Sequence, residues 1–155
     1  MALTVVVTAF GSVQVPKSLF GGYIHLGDTV VFLCAYFLGS WYGAAVGGLG
    51  GALSDLIVAA VWAPGTLFIK AFMGLTAGLM FKKSKGTLSI VLAMLIPGAI
   101  MVVGYYFYEW LILGSFISAG FDILPNVLQA VISILAASIC IPLLNKVSSV
   151  SSLRK

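Results

Sequence analysis

The stretch YIHLGD holds Tyr23, the single histidine His25, and Asp28, one of only four acidic residues in the chain. Glycines surround them at Gly21, Gly22 and Gly27. A phenol and an imidazole can stack on a heteroaromatic ring or hydrogen-bond to it. A carboxylate at position 28 can cap the helix that follows, or it can touch a ligand directly. Further along, Asp55, Lys70, Tyr105, Glu109, Asn126 and Gln129 interrupt otherwise apolar stretches. Asn126 and Gln129 are three apart, so they share a helix face, and each amide offers a donor and an acceptor to a neutral ring. Tyr105, Tyr106, Tyr108 and Trp110 also suit an aromatic belt at a membrane surface. A belt does not account for Glu109 among them.

The background to these residues is strongly apolar. Of 155 residues, 61% are hydrophobic and 8% are charged. Soluble domains carry roughly 25% charged residues, so the sequence reads as an all-α polytopic membrane protein. Residues 1–15 lack the basic start of a cleaved signal peptide, and residues 9–12 make a poor cleavage site. The net charge of +4 gathers at Lys82, Lys83 and Lys85, and again at Lys146, Arg154 and Lys155. That is the pattern of loops facing the cytoplasm; it gives no interleaved basic and aromatic groove for nucleic acid. Cys34 and Cys140 form no CxxC pair, and one histidine makes no zinc set, so neither a metal nor another cofactor is expected. A phosphate-binding GxxxxGK[ST] loop and a GxSxG nucleophile elbow are both missing from the sequence.

A helix needs about 20 apolar residues to cross a bilayer. Six spans are predicted, at about residues 1–15, 29–40, 41–62, 66–81, 87–113 and 123–144, forming one domain over 1–155. Glycines in LGSWYGAAVGG are the only break between the second and third. Pro97 is expected to kink the fifth, and Asp122 and Pro125 to open the sixth. Six spans put both termini and both basic clusters on one side, the cytoplasm. The stretch 16–28 then faces outward. Asp55 lies about 10 Å and Lys70 about 6–9 Å inside the outer surface at 1.5 Å per residue. They can pair across the hairpin between spans three and four, or Lys70 can point at a ligand. Charges inside a bilayer are costly and face the bundle interior. All the strongly polar groups fall in the outer half, which predicts a pocket open to the outside with the first loop over it.

Small residues recur every four positions. Gly39, Gly43, Gly47 and Gly51 do so from the end of the second span into the third, and Gly74 and Gly78 in the fourth. Such spacing lets helices approach closely. Thr4, Thr8 and Ser12, flanked by Ala2 and Ala9, repeat it in the first span, where the stripe can meet a partner's helix.

GGYIHLGD, GGLGGALSDLI, APGTLFIKAFMGLTAGL and ILPNVLQ, in this order and spacing, resemble the substrate-binding S components of energy-coupling factor (ECF) vitamin transporters. The resemblance covers roughly residues 15–144 and looks nearest to the hydroxymethylpyrimidine and pyridoxine group. It implies a six-helix subunit in a bacterial plasma membrane. That subunit captures a small water-soluble vitamin from outside, riboflavin and pantothenate being further candidates. The same resemblance implies import driven by partners, the transmembrane subunit EcfT and the ATPases EcfA and EcfA′, with no enzymatic activity in this chain. Its substrate site would be Tyr23, His25, Asp55, Lys70, Tyr105, Glu109, Asn126 and Gln129. Gly21, Gly22, Gly27 and Asp28 would form a lid, and Ala2, Thr4, Thr8, Ala9 and Ser12 would dock the coupling subunit. The family's first helix usually carries alanines where this chain has threonines. Two other classes stay open: a small channel or self-associating membrane protein, and an intramembrane enzyme using Glu109, His25 or Asp55 as acid or base.

Overall fold

In a computed structural model of the chain, the structure describes residues 1–14 and 23–147. Gly21, Gly22, Lys17, Arg154 and Lys155 lie outside them. Six helical rods account for most of the described residues. These are α1 (Ala2–Phe10), α2 (Gly27–Phe37), a composite rod over 40–58, α5 (Ala63–Phe81), α6 (Thr87–Leu113) and α8 (Ile123–Asn145). The composite rod runs from α3 (Ser40–Ala45) through a π-helical turn (Val46–Gly50) into α4 (Gly51–Val58). A single 3₁₀ turn (Ala60–Trp62) leads into α5, and a short α7 (Phe116–Gly120) precedes α8.

The expected break between the second and third rods falls at Gly39, whose φ of 98° favours glycine. Pro97 lies inside α6, which continues through it to Leu113. The rods differ in reach. Residues 60–81, 87–113 and 116–145 are long and apolar enough to cross a membrane. With 9 and 11 residues, α1 and α2 extend only about 14 and 17 Å at 1.5 Å per residue. A bilayer core is about 30 Å thick, so these two helices go part of the way. Large apolar side chains such as Leu3, Phe10, Trp41, Phe68, Leu111 and Ile117 are exposed, as lipid-facing side chains are. The chain is an all-α polytopic membrane protein.

The glycines bring α5 against the composite rod. A Cβ on Gly43 would stand 2.7 Å from the Gly74 carbonyl oxygen, and one on Gly48 2.7 Å from that of Leu67. Backbone therefore meets backbone at this crossing. Inward of it, Phe32, Met73, Met94, Met101 and Ile141 are fully buried. One end of this core is closed by Tyr36, which packs edge-on against Phe81 at 5.3 Å and accepts the Asn145 side-chain amide at 3.1 Å. The strongly polar side chains collect at the other end. There, two short strands, β1 (Val13–Gln14) and β2 (Tyr23–Ile24), pair antiparallel, with Val13 opposite Ile24 and Gln14 opposite Tyr23. The hairpin links α1 to α2 and delivers Tyr23 and His25 to the mouth of the bundle. Sequence periodicity gives no sign of it, because each strand is only two residues long.

Candidate functional site

A cavity of about 50 Å³ lies where this hairpin meets α4, the Ala60–Trp62 turn, α6 and α8. Tyr23 and His25 line it from above, Asp55 from α4, and Tyr105 and Glu109 from α6. Asn126 and Gln129 line it from α8. These are the expected binding residues, with the exception of Lys70. Trp62, Asp122 and Pro125 complete the wall. The Trp62 ring meets the Tyr105 ring edge-on at 6.5 Å. Trp62 was not expected here, since its position in a three-residue turn follows no helical period. Asp122 and Pro125 were expected only as a helix start. Asp122 does precede α8, but its side chain makes no capping bond there.

Tyr23 donates its hydroxyl proton to Asp55 Oδ1. Burial first, and then the Asp55 charge, raise the Tyr23 phenol above its ordinary value. It therefore remains a donor. The Gly27 backbone N–H donates to His25 Nδ1 at 2.9 Å. That bond fixes a neutral ring with its proton on Nε2. Thr8 Oγ1 stands 3.4 Å from the same nitrogen, tying α1 to the hairpin.

Burial pushes the His25 imidazole from 6.5 down to about 4, with Asp28 opposing the fall and Lys70 adding to it. Between those values the unfolded chain binds more protons at His25 than the folded chain does. The stability this group contributes is thus complete above pH 6.5 and is lost as pH falls towards about 4. Thermal unfolding in detergent is expected to show the loss as about 1–3 kcal/mol. His25→Gln should flatten the slope over the same window; an equally steep slope in that variant would assign the effect to other groups.

Gln129 connects the mouth to a buried layer beneath it. Its Oε1 accepts the His25 backbone N–H at 3.2 Å, and its Nε2 donates to Asp28 Oδ2 at 2.8 Å. Asp28 in turn accepts from Lys70 Nζ at 2.5 and 2.6 Å, and Nζ also reaches Met101 Sδ at 2.9 Å. The Tyr105 ring lies 5.4 Å from the same ammonium, and its hydroxyl is 2.7 Å from Thr66 Oγ1. All three donors of Lys70 are therefore directed at partners inside the bundle.

Three expectations are corrected by this geometry. Lys70 pairs with Asp28 and not with Asp55, because the Asp28 carboxylate in the first turn of α2 reaches Nζ with both oxygens while Asp55 accepts from Tyr23. Asp28 is not a helix cap: Leu26 holds the N-cap position of α2, and the Asp28 carboxylate is spent on Lys70 and Gln129. Thr4 and Thr8 do not present a docking face. They are buried inside the bundle, Thr4 against Gly50 and Thr8 beside Gly27 and His25. Of that stripe, Ala2 is exposed and Ala9 and Ser12 are half-buried. Among the described residues, no cluster of three or more His, Cys, Asp or Glu side chains could hold a metal ion. What the cavity can do is hold a small flat molecule between rings and offer it several hydrogen-bonding groups.

Residues 1–148 match the family described as ECF-type riboflavin transporter, S component. The chain belongs to this family. It is a substrate-binding subunit of an ECF transporter, in a family of transport components. The match is to the riboflavin-named family rather than to the hydroxymethylpyrimidine and pyridoxine group that the motifs resemble. A protein of Pyrococcus woesei, described as an uncharacterized protein in gap 3'region, is similar as well. It is 33% identical over 102 residues, covering 66% of this chain and 69% of the relative. In this S component the matched region takes in the hairpin, the cavity and the buried ion pair together.

Proposed function

We propose that this S component captures a small water-soluble vitamin or vitamin precursor from the outer side of a bacterial plasma membrane. It works with EcfT, EcfA and EcfA′, which drive uptake of the ligand with ATP. The observation that carries this reading is the cavity itself, in which rings from Tyr23, Trp62 and Tyr105 meet convergent polar groups from four elements. Ligand sites combine apolar walls with a few placed polar groups in this way. Hydroxymethylpyrimidine and pyridoxine fit the resemblance of the motifs. The family's name puts riboflavin beside them, and pantothenate completes the set to be tested.

The hairpin serves as the lid, joined at Gly27 to α2, whose Asp28 is anchored to Lys70 and Gln129 beneath it; Gly21 and Gly22, expected in the same lid, lie outside the described residues. The basic stretch at Lys82, Lys83 and Lys85 faces the cytoplasm in this arrangement. The coupling subunit meets the lipid-facing side of α1, where Ala2, Leu3, Val6 and Phe10 are exposed.

The test is mass spectrometry of small molecules released from the chain purified in mild detergent, followed by equilibrium binding of what is found. A stoichiometric heteroaromatic vitamin is expected. Asn126→Ala should then weaken its binding about tenfold, the cost of about one hydrogen bond, while the bundle stays folded. An empty protein with no saturable binding to any vitamin of the set would end the capture reading.

A further inference from the structure

The charge of the cavity wall goes beyond the family match. Asp55, Glu109 and Asp122 line the cavity, three of the four acidic side chains in the chain. Among the described residues, no lysine or arginine lines it. The one cation nearby, Lys70, is turned beneath the floor and held by the fourth acid, Asp28. Asp55 and Glu109 are 4% and 2% exposed. Each keeps one carboxylate oxygen, Asp55 Oδ2 and Glu109 Oε2, without a hydrogen-bond partner among the described residues. They come from different elements, α4 and α6, so the two acceptors approach the cavity from separate walls.

A buried acceptor without a donor costs about 1–3 kcal/mol, more when it is charged. A ligand that brings donors or positive charge removes that cost, whereas one that brings a carboxylate adds a further negative group to a crowded set. The rings of Trp62 and Tyr105 add a second preference, since an aromatic face attracts a cation. The cavity of about 50 Å³ is far below the roughly 300–1,000 Å³ typical of ligand pockets. One ring with short substituents therefore needs the least movement of the walls to enter.

We propose that this site selects a single-ring heteroaromatic ligand bearing an amine or a positive charge, and rejects carboxylates. The proposal rests on the capture reading above and names its ligand class. Neutral riboflavin and anionic pantothenate fall outside it. The ligand's cationic group sits between Asp55 and Glu109, and its ring lies against Trp62 and Tyr105.

The experiment uses the full chain in detergent near neutral pH and a series with one ring and three substituents. Pyridoxamine carries an ammonium, pyridoxine a hydroxyl, and 4-pyridoxic acid a carboxylate at the same position. The aminopyrimidine 4-amino-5-hydroxymethyl-2-methylpyrimidine, riboflavin and pantothenate complete the panel. The expected order is amine-bearing ligands first, hydroxyl next and carboxylate last, with about 100-fold between ammonium and carboxylate. Asp55→Asn and Glu109→Gln keep the shape and replace a carboxyl group with a neutral amide; each is expected to narrow that ratio about tenfold. Carboxylate binding as tight as amine binding overturns the proposal. So does an unchanged ratio in both variants. Tight binding of riboflavin or pantothenate with none for the amines also overturns it, and leaves capture standing. No binding by any member of the panel removes both. The ligand series on the unaltered chain decides the matter even where a variant fails to fold.

Discussion

Lys70→Met is expected to destabilise the bundle by about 3–5 kcal/mol, because it leaves the Asp28 carboxylate buried without its counter-charge. Both side chains are almost wholly enclosed, at 3% and 2% exposure, so water cannot take over the lost contacts. The double variant Asp28→Asn with Lys70→Met removes both charges and is expected to recover most of the loss, since a buried pair adds little net stability over a well-packed neutral replacement. Denaturation in detergent, read by tryptophan fluorescence, measures both. A single variant that loses less than about 1 kcal/mol would show the pair to be as weak as an exposed one. The loss should also loosen the mouth, because Gln129 bonds Asp28 on one side and the His25 backbone on the other.

Gly74→Ala is expected to be the most damaging glycine-to-alanine change among the described residues. Its Cβ would fall on the Gly43 backbone, with the Ala44 nitrogen 2.9 Å away. Neither helix can give way locally, since the atoms met are main chain and not the end of a side chain. Overpacking a core typically costs about 1–3 kcal/mol, and a backbone clash belongs at or above the top of that range. Gly98→Ala is the control: its Cβ would stand 3.4 Å from Ile134 Cδ1 and 3.6 Å from Ala130 Cβ, which are ordinary contacts. Folded yield and unfolding midpoint should separate the two variants clearly. Equal behaviour would mean that the crossing of α5 and the composite rod is looser than described.

The contrast between legible and illegible features follows from their range. Residues 87–113 and 123–144 were readable to within a residue, because long apolar runs bounded by Gly86, Gly114 and Asp122 leave little choice of register. The collection of polar groups at one end was readable too, since each intramembrane charge must find the interior. The partner of each charge was not. Asp55 and Lys70 are neighbours along the hairpin of two rods, yet Asp28, 42 residues before Lys70, reaches the ammonium first. Only the packing of α2 against α5 decides that, and nothing local encodes it. The threonine stripe of α1 failed for a related reason. Four-residue spacing of small side chains says that one face packs closely, not against what, and here the other surface is Gly50 and Gly27 of the same chain.

The small, partly open cavity also bears on time. A ligand held under Tyr23 and His25 leaves past the hairpin, so its residence depends on how firmly the Tyr23–Asp55 and Gln129–His25 bonds hold the hairpin down, as well as on the contacts the ligand itself makes. Since Thr8 of α1 touches the same histidine, any event that draws α1 away from the bundle shortens that dwell without touching the ligand itself.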